Sequence, residues 1–167
     1  MQTGTAVGSF TVASPDLDAV LDQPIARCVD RRRAGSLPQL DAALRRNLPA
    51  SNGVPQYLDL LGHSTTGHRL LRLGRTPIDM LDPPVAAFFH ALAADDLLPQ
   101  RNIVAVRLLG CDTATTDAGC RTLRMLSRTL RLPVYGTLVP LLNGHYTEAG
   151  FNDAFVHQLV AADALVA

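Results

Sequence analysis

Residues 56–63 read QYLDLLGH and residues 102–111 read NIVAVRLLGC, and the reading of these two stretches decides the fold. Each is an apolar run of strand length, entered from turn-forming residues and left through a glycine. Between them, VAAFFHALAADDLLP (85–99) repeats its apolar residues at helical intervals, with Pro84 suited to a first helical turn and Pro99 to a stop. Strand, helix, strand is the building unit of a parallel sheet.

Working outward, AGCRTLRMLSRTLRL (118–132) sets Leu123, Leu126 and Leu130 on one face and Arg121, Arg124, Arg128 and Arg131 on another. That is an amphipathic helix with a solvated arginine stripe. PVYGTLVPLL (133–142) is expected as a third strand, NGH as a turn, and FNDAFVHQLVAADALV (151–166) as a closing helix capped by Asn152 or Asp153. Upstream, SFTVA (9–13) reads as a short strand, and LPQLDAALRRNLP (37–49) as a helix ended by Pro49. Arg31, Arg32 and Arg33 fall on a solvated loop or helix end, ASNGVP (50–55) makes a turn, and HRLLRLG (68–74) is a short strand or hairpin arm. The succession predicts a single α/β domain over 1–167, a three-layer sandwich with a mostly parallel sheet flanked by helices.

Composition narrows the chemistry. At 47% hydrophobic and 18% charged residues, the chain is an ordinary globular one. Fifteen basic residues balance fifteen acidic ones, which argues against a nucleic-acid or membrane-surface partner. All fifteen basic residues are arginine, so lysine nucleophiles, Schiff bases and P-loop lysines are excluded. No run reaches the roughly 20 apolar residues of a membrane span, and MQTGTAVGSF lacks the pattern of a secretory signal, so a cytoplasmic location is the default expectation. Cys28, Cys111 and Cys120 have neither disulfide-framework nor zinc spacing and imply a reducing compartment. Cys28 and Cys120, in or near helices, read as packing residues. HSTTGH (63–68) lies on a loop without firm zinc geometry; no metal and no cofactor are expected.

In sheets of this kind, active loops lie at the carboxyl ends of the strands. The first strand ends in Gly62, His63 and Ser64, the second in Gly110, Cys111 and Asp112, and neighbouring strands would bring His63 and Cys111 to one rim. A cysteine attacks as the thiolate, and a nearby histidine takes its proton or stabilises the anion. Backbone N–H groups of Ser64 and Cys111 would form an oxyanion hole, with glycines at 62, 67 and 110 allowing tight turns. Two other readings stay open. Ser64 as nucleophile, served by Asp112 or Asp117 and by His145 or His157, needs a nucleophile elbow, but Thr66 stands where that motif has glycine. Alternatively, histidine and cysteine are both structural and the fold is a catalytically inactive scaffold for protein binding.

LDLLGHSTTGHRLLRLG followed by IVAVRLLGCDTATTDAG resembles the histidine and glycine-cysteine blocks of the caspase-like cysteine peptidases, nearest to bacterial caspase-like, CHAT and toxin cysteine protease domains. The likeness spans about residues 56–140, and the histidine precedes the cysteine by 111 − 63 = 48 positions, in keeping with the caspase spacing. Ser64 replaces the glycine that usually follows the histidine, and the Q-A-C-x-G consensus is absent. The resemblance implies a caspase-haemoglobinase-like fold and a His63/Cys111 dyad that cleaves a peptide bond in the chain itself or in a partner protein. It implies secretion as part of a larger bacterial protein as an alternative location. Asp112, or less favourably Asp59 or Asp117, would recognise a basic residue at the cleavage site.

Overall fold

The computed structural model describes residues 7–47 and 53–165. A six-stranded sheet is built from β1 (Gly8–Ala13), β2 (Arg31–Arg33), β3 (Gln56–Leu61), β6 (Ile103–Leu109), β7 (Val134–Thr137) and β10 (Leu159–Ala161). The spatial order is β10-β7-β6-β3-β1-β2, and every pairing is parallel except β10 with β7. Two small hairpins, β4 (Arg72–Leu73) with β5 (Thr76–Pro77) and β8 (Tyr146–Thr147) with β9 (Gly150–Phe151), lie outside it. The helices are α1 (Ala19–Arg27), α2 (Leu37–Asn47), α3 (Pro83–Ala94), α4 (Leu97–Gln100) and α5 (Asp117–Leu130). The architecture is the three-layer α/β sandwich that the strand-helix alternation predicts.

Alternation along the strands divides the core in two. Phe10, Val12, Leu58, Leu60, Val106, Leu108 and Val134 pack against α2, α3 and α5 on one face. Ala13, Leu61 and Leu109 pack on the other with Leu21 and Ile25 of α1, and with Leu141, Tyr146 and Phe151. The arginine stripe of α5 points outward while Leu123, Leu126 and Leu130 are buried, as its period requires.

Several expectations change. The closing helix is not formed: residues Asp153–Gln158 make a 3-10 turn and Leu159–Ala161 become β10. β7 offers an unpaired edge, and pairing Leu159 with Thr137 and Ala161 with Tyr135 satisfies backbone groups that a helix there would leave open. The third strand ends at Thr137, so Leu138–Leu142 form a loop. The helix over 85–99 breaks at Asp95 and Asp96, the latter with φ +52°, and restarts as α4. Arg31–Arg33 form an exposed edge strand. α1, which apolar periodicity does not reveal, starts at an Asp18 cap, whose carboxylate accepts the Leu21 N–H. Pro49 and the first half of the ASNGVP turn lie outside the described residues. Among the described residues no helix is long and apolar enough to cross a membrane.

Candidate active site

The register of β3 against β6 pairs Leu60 with Leu108 and Leu61 with Leu109. The Gly62 N–H still donates to the Leu109 carbonyl at 3.2 Å, and there the ladder ends, with His63 and Cys111 each two residues past its last pair. Gly62 and Gly110 are both demanded by crowding. A Cβ on Gly62 would overlap the Arg72 carbonyl, and one on Gly110 would press on Ser64 Oγ and Thr113. β1 borders β3 on its other side, so the connection to β2 leaves in one direction and the later strands in the other. The crevice of such a sheet opens at that reversal. Asp16, just past β1, and His63, past β3, stand on either side of it.

The His63 loop folds back as a hairpin. Arg72 N–H donates to the His63 carbonyl at 2.9 Å, and Thr65 N–H to the Leu70 carbonyl at 2.7 Å. Ser64 therefore faces Leu71 without a mutual hydrogen bond, and its N–H points away from its hairpin partner. Neither the Ser64 N–H nor the Cys111 N–H donates to another described group. The Ser64 hydroxyl donates to the Cys111 carbonyl at 2.7 Å, joining the two loops.

His63 is half-buried, and its Nε2 lies 3.2 Å from the Asp16 carbonyl oxygen. A carbonyl only accepts, so Nε2 carries the proton and Nδ1 is left as the acceptor. The Asp16 loop is itself tied down: its carboxylate accepts from Arg72 Nη1 at 2.6 Å and from the Ser14 hydroxyl, which also accepts the Gly74 N–H at 2.7 Å. Partial burial pushes the Asp16 carboxyl up, but the Ser14 hydroxyl, Arg72 and His63 together hold it below the ordinary carboxylate value.

Cys111 is half-buried at the margin of the apolar cluster under α1, and the Leu141 N–H donates to its Sγ at 3.4 Å. The loop Leu138–Leu142 thus passes beside the sulfur, anchored by Asp112 N–H to the Val139 carbonyl at 3.3 Å. Asp112 has φ +58°, and its half-buried carboxylate meets no described hydrogen-bond or ionic partner.

The other candidates separate from this rim. Asp59 is fully buried in an ion pair with Arg107 (Nε–Oδ1 2.5 Å, Nη2–Oδ2 2.7 Å), which removes it from substrate recognition. Asp117 sits exposed in the first turn of α5. Ser64 occupies a hairpin rather than a strand-to-helix elbow, and no described histidine meets its hydroxyl. Nδ1 of His145 instead accepts the Leu142 N–H at 3.0 Å, and burial lowers the pKa of that imidazole. Cys28 is buried at the end of α1 and donates to the Thr147 carbonyl, and Cys120 lies in α5 and donates to the Ala114 carbonyl, as packing residues do. Sequence reading missed Asp16, Ser14 and Arg72. The signal for the first two was present in SPD (14–16), a turn at the carboxyl end of a strand. No protein-family model matches the chain, and no curated protein matches it significantly.

Proposed function

We propose that the chain is a caspase-like cysteine peptidase in which Cys111 and His63 form the dyad. The observation that carries this reading is that His63 and Cys111 each lie two residues past the last pair of adjacent parallel strands, in loops joined by the Ser64 hydroxyl at the Cys111 carbonyl, with Nε2 of His63 occupied by the Asp16 carbonyl. That contact leaves Nδ1 as the base. In the reaction, Nδ1 takes the Cys111 thiol proton as Sγ bonds to the scissile carbonyl carbon. The free N–H groups of Ser64 and Cys111 hold the resulting oxyanion. The amine leaves with the proton returned by His63, and water, deprotonated by the same ring, hydrolyses the thioester. No cofactor takes part. The substrate is a peptide segment of the chain itself or of a partner protein, and the unpartnered Asp112 carboxylate is assigned to a basic residue near the cleaved bond. The free thiol suits a reducing compartment.

A protein-binding scaffold is the second reading, favoured by the Leu138–Leu142 loop lying against Cys111. Iodoacetamide labelling of the three cysteines as a function of pH, read by peptide mass spectrometry, separates the two. The peptidase reading expects Cys111 to react preferentially near neutral pH, with the preference lost in His63→Ala, and expects Cys111→Ala to abolish cleavage of a basic-residue peptide library while remaining folded. Ordinary Cys111 reactivity in both proteins, together with no cleavage, refutes it.

A further inference from the structure

On the face of the sheet covered by α1 and the β8–β9 hairpin, Arg107 borders two cavities. One, of about 320 Å³, is lined by Tyr57, Arg107, Tyr135, Val156 and Leu159. The other, of about 170 Å³, shares Tyr57 and Arg107 with it. Arg107 is only 3% exposed, its guanidinium lying 4.2 Å from the centre of the Tyr57 ring and 5.4 Å from that of Phe151. Nε and Nη2 are taken by Asp59, and Nη2 also reaches Ser9 Oγ at 3.4 Å. Nη1 donates to no described group. The hydroxyls of Tyr57 and Tyr135 likewise meet no described partner.

These parts have the character of a small-molecule site: apolar and aromatic walls, a volume at the lower end of the usual range, and few polar groups converging on it. A guanidinium held rigidly by one carboxylate still presents its outer edge to a second, and charge-assisted bonds in a dry setting are the strong ones. We propose that this cavity binds a small carboxylate with an apolar body, its carboxylate on Arg107 Nη1 and its body between the two tyrosine rings, Val156 and Leu159. The site is separate from the proposed dyad. Arg107, which would hold the carboxylate, lies four residues before Cys111 (111 − 107) near the end of an extended strand, which sets them roughly 13 Å apart.

The chain has three tyrosines, two of which line the cavity, and no tryptophan, so tyrosine emission reports the site directly. Titration with cyclohexanecarboxylate, transparent at the exciting wavelength, is expected to change that emission saturably, with cyclohexanecarboxamide about tenfold weaker. Val156 is 49% exposed, so substitutions there leave the fold intact, as far-UV circular dichroism verifies. Val156→Glu should weaken the carboxylate several-fold and Val156→Arg tighten it, with the carboxamide indifferent to both. N-acetylleucine distinguishes the sources: tighter binding than cyclohexanecarboxylate assigns the site to a peptide carboxyl terminus, weaker binding to a free acid, and either result upholds carboxylate recognition. Equal response to acid and amide, no saturation, or indifference of the acid to charge at position 156 overturns the proposal.

Discussion

Replacing Arg107 by methionine keeps much of the side-chain volume and removes the partner of a carboxylate with no exposed surface. In the native chain Asp59 receives Nε at 2.5 Å, Nη2 at 2.7 Å and the Ser9 hydroxyl. In Arg107→Met only Ser9 remains, and breaking a buried pair from one side costs about 3–5 kcal/mol. Loss of the cation above the Tyr57 ring adds roughly 0.5–2 kcal/mol. For a chain of this size each kcal/mol moves Tm by roughly 2–4 °C, so a fall of about 10 °C or more is expected. Asp59→Leu, which strands the guanidinium instead, should cost a similar amount. The double variant Asp59→Leu/Arg107→Met removes both charges and should return to within about 1–2 kcal/mol of the native chain. Urea unfolding followed by far-UV circular dichroism measures all four proteins of the cycle. A cost below about 1 kcal/mol for Arg107→Met would refute the reasoning, because water would then be reaching a carboxylate described as sealed.

Other expectations follow from the rim and its surroundings. Gly62→Ala forces a methyl onto the Arg72 carbonyl, so the His63 hairpin must shift; a loss of about 2 kcal/mol or more in urea unfolding, with slower Cys111 alkylation, is expected. Asp16 has a lowered pKa in the folded chain, so its contribution is present above the unfolded carboxyl value and lost as pH falls through the folded one. Asp16→Asn should therefore lower Tm at pH 7 and converge with the native chain in strong acid; with the side chain 40% exposed, solvent screening keeps the difference to roughly 0.5 kcal/mol or less. His145 acts in the same direction but in a higher pH window, because burial lowers the pKa of its imidazole. The unfolded chain binds its proton first as pH falls below the unperturbed histidine value, so stability drops there, and His145→Gln should flatten that part of the Tm profile.

What was legible in the sequence was local. β3 and β6 are apolar runs bounded by turns, α3 and α5 carry a helical period, and His63 and Cys111 close their strands visibly. What was illegible depends on pairing between distant segments. β10 exists because β7 presents an edge, and nothing within residues 159–161 announces it. Asp16 meets His63 because β1 is inserted beside β3, a neighbour relation set by sheet order rather than by spacing. Asp59 read as a less favoured acid for a basic residue at the cleavage site because its partner lies on another strand. A usable signal was nonetheless there: Asp59 stands four residues before His63 and Arg107 four before Cys111, so any register that brings His63 and Cys111 together also joins the pair (63 − 59 and 111 − 107).

That coincidence gives the ion pair a role beyond stability. A slip of one residue between β3 and β6 would turn Asp59 and Arg107 to opposite faces, strand both charges, and carry His63 away from Cys111. Apolar residues alone resist such a slip weakly here, because both faces of β3 and β6 are buried and Leu58, Leu60 and Leu61 read almost equally well on either side. A buried polar pair is costly in the wrong register, and fixing register is the best-supported use of such pairs. In the Asp59→Leu/Arg107→Met variant, stability should therefore survive while register loosens. Alkylation of Cys111 would become multiphasic and lose part of its dependence on His63, and amide exchange along β3 and β6 would quicken. Single-phase alkylation with native His63 dependence in that variant would show that packing alone sets the register, and that the proposed dyad does not depend on the charges beneath it.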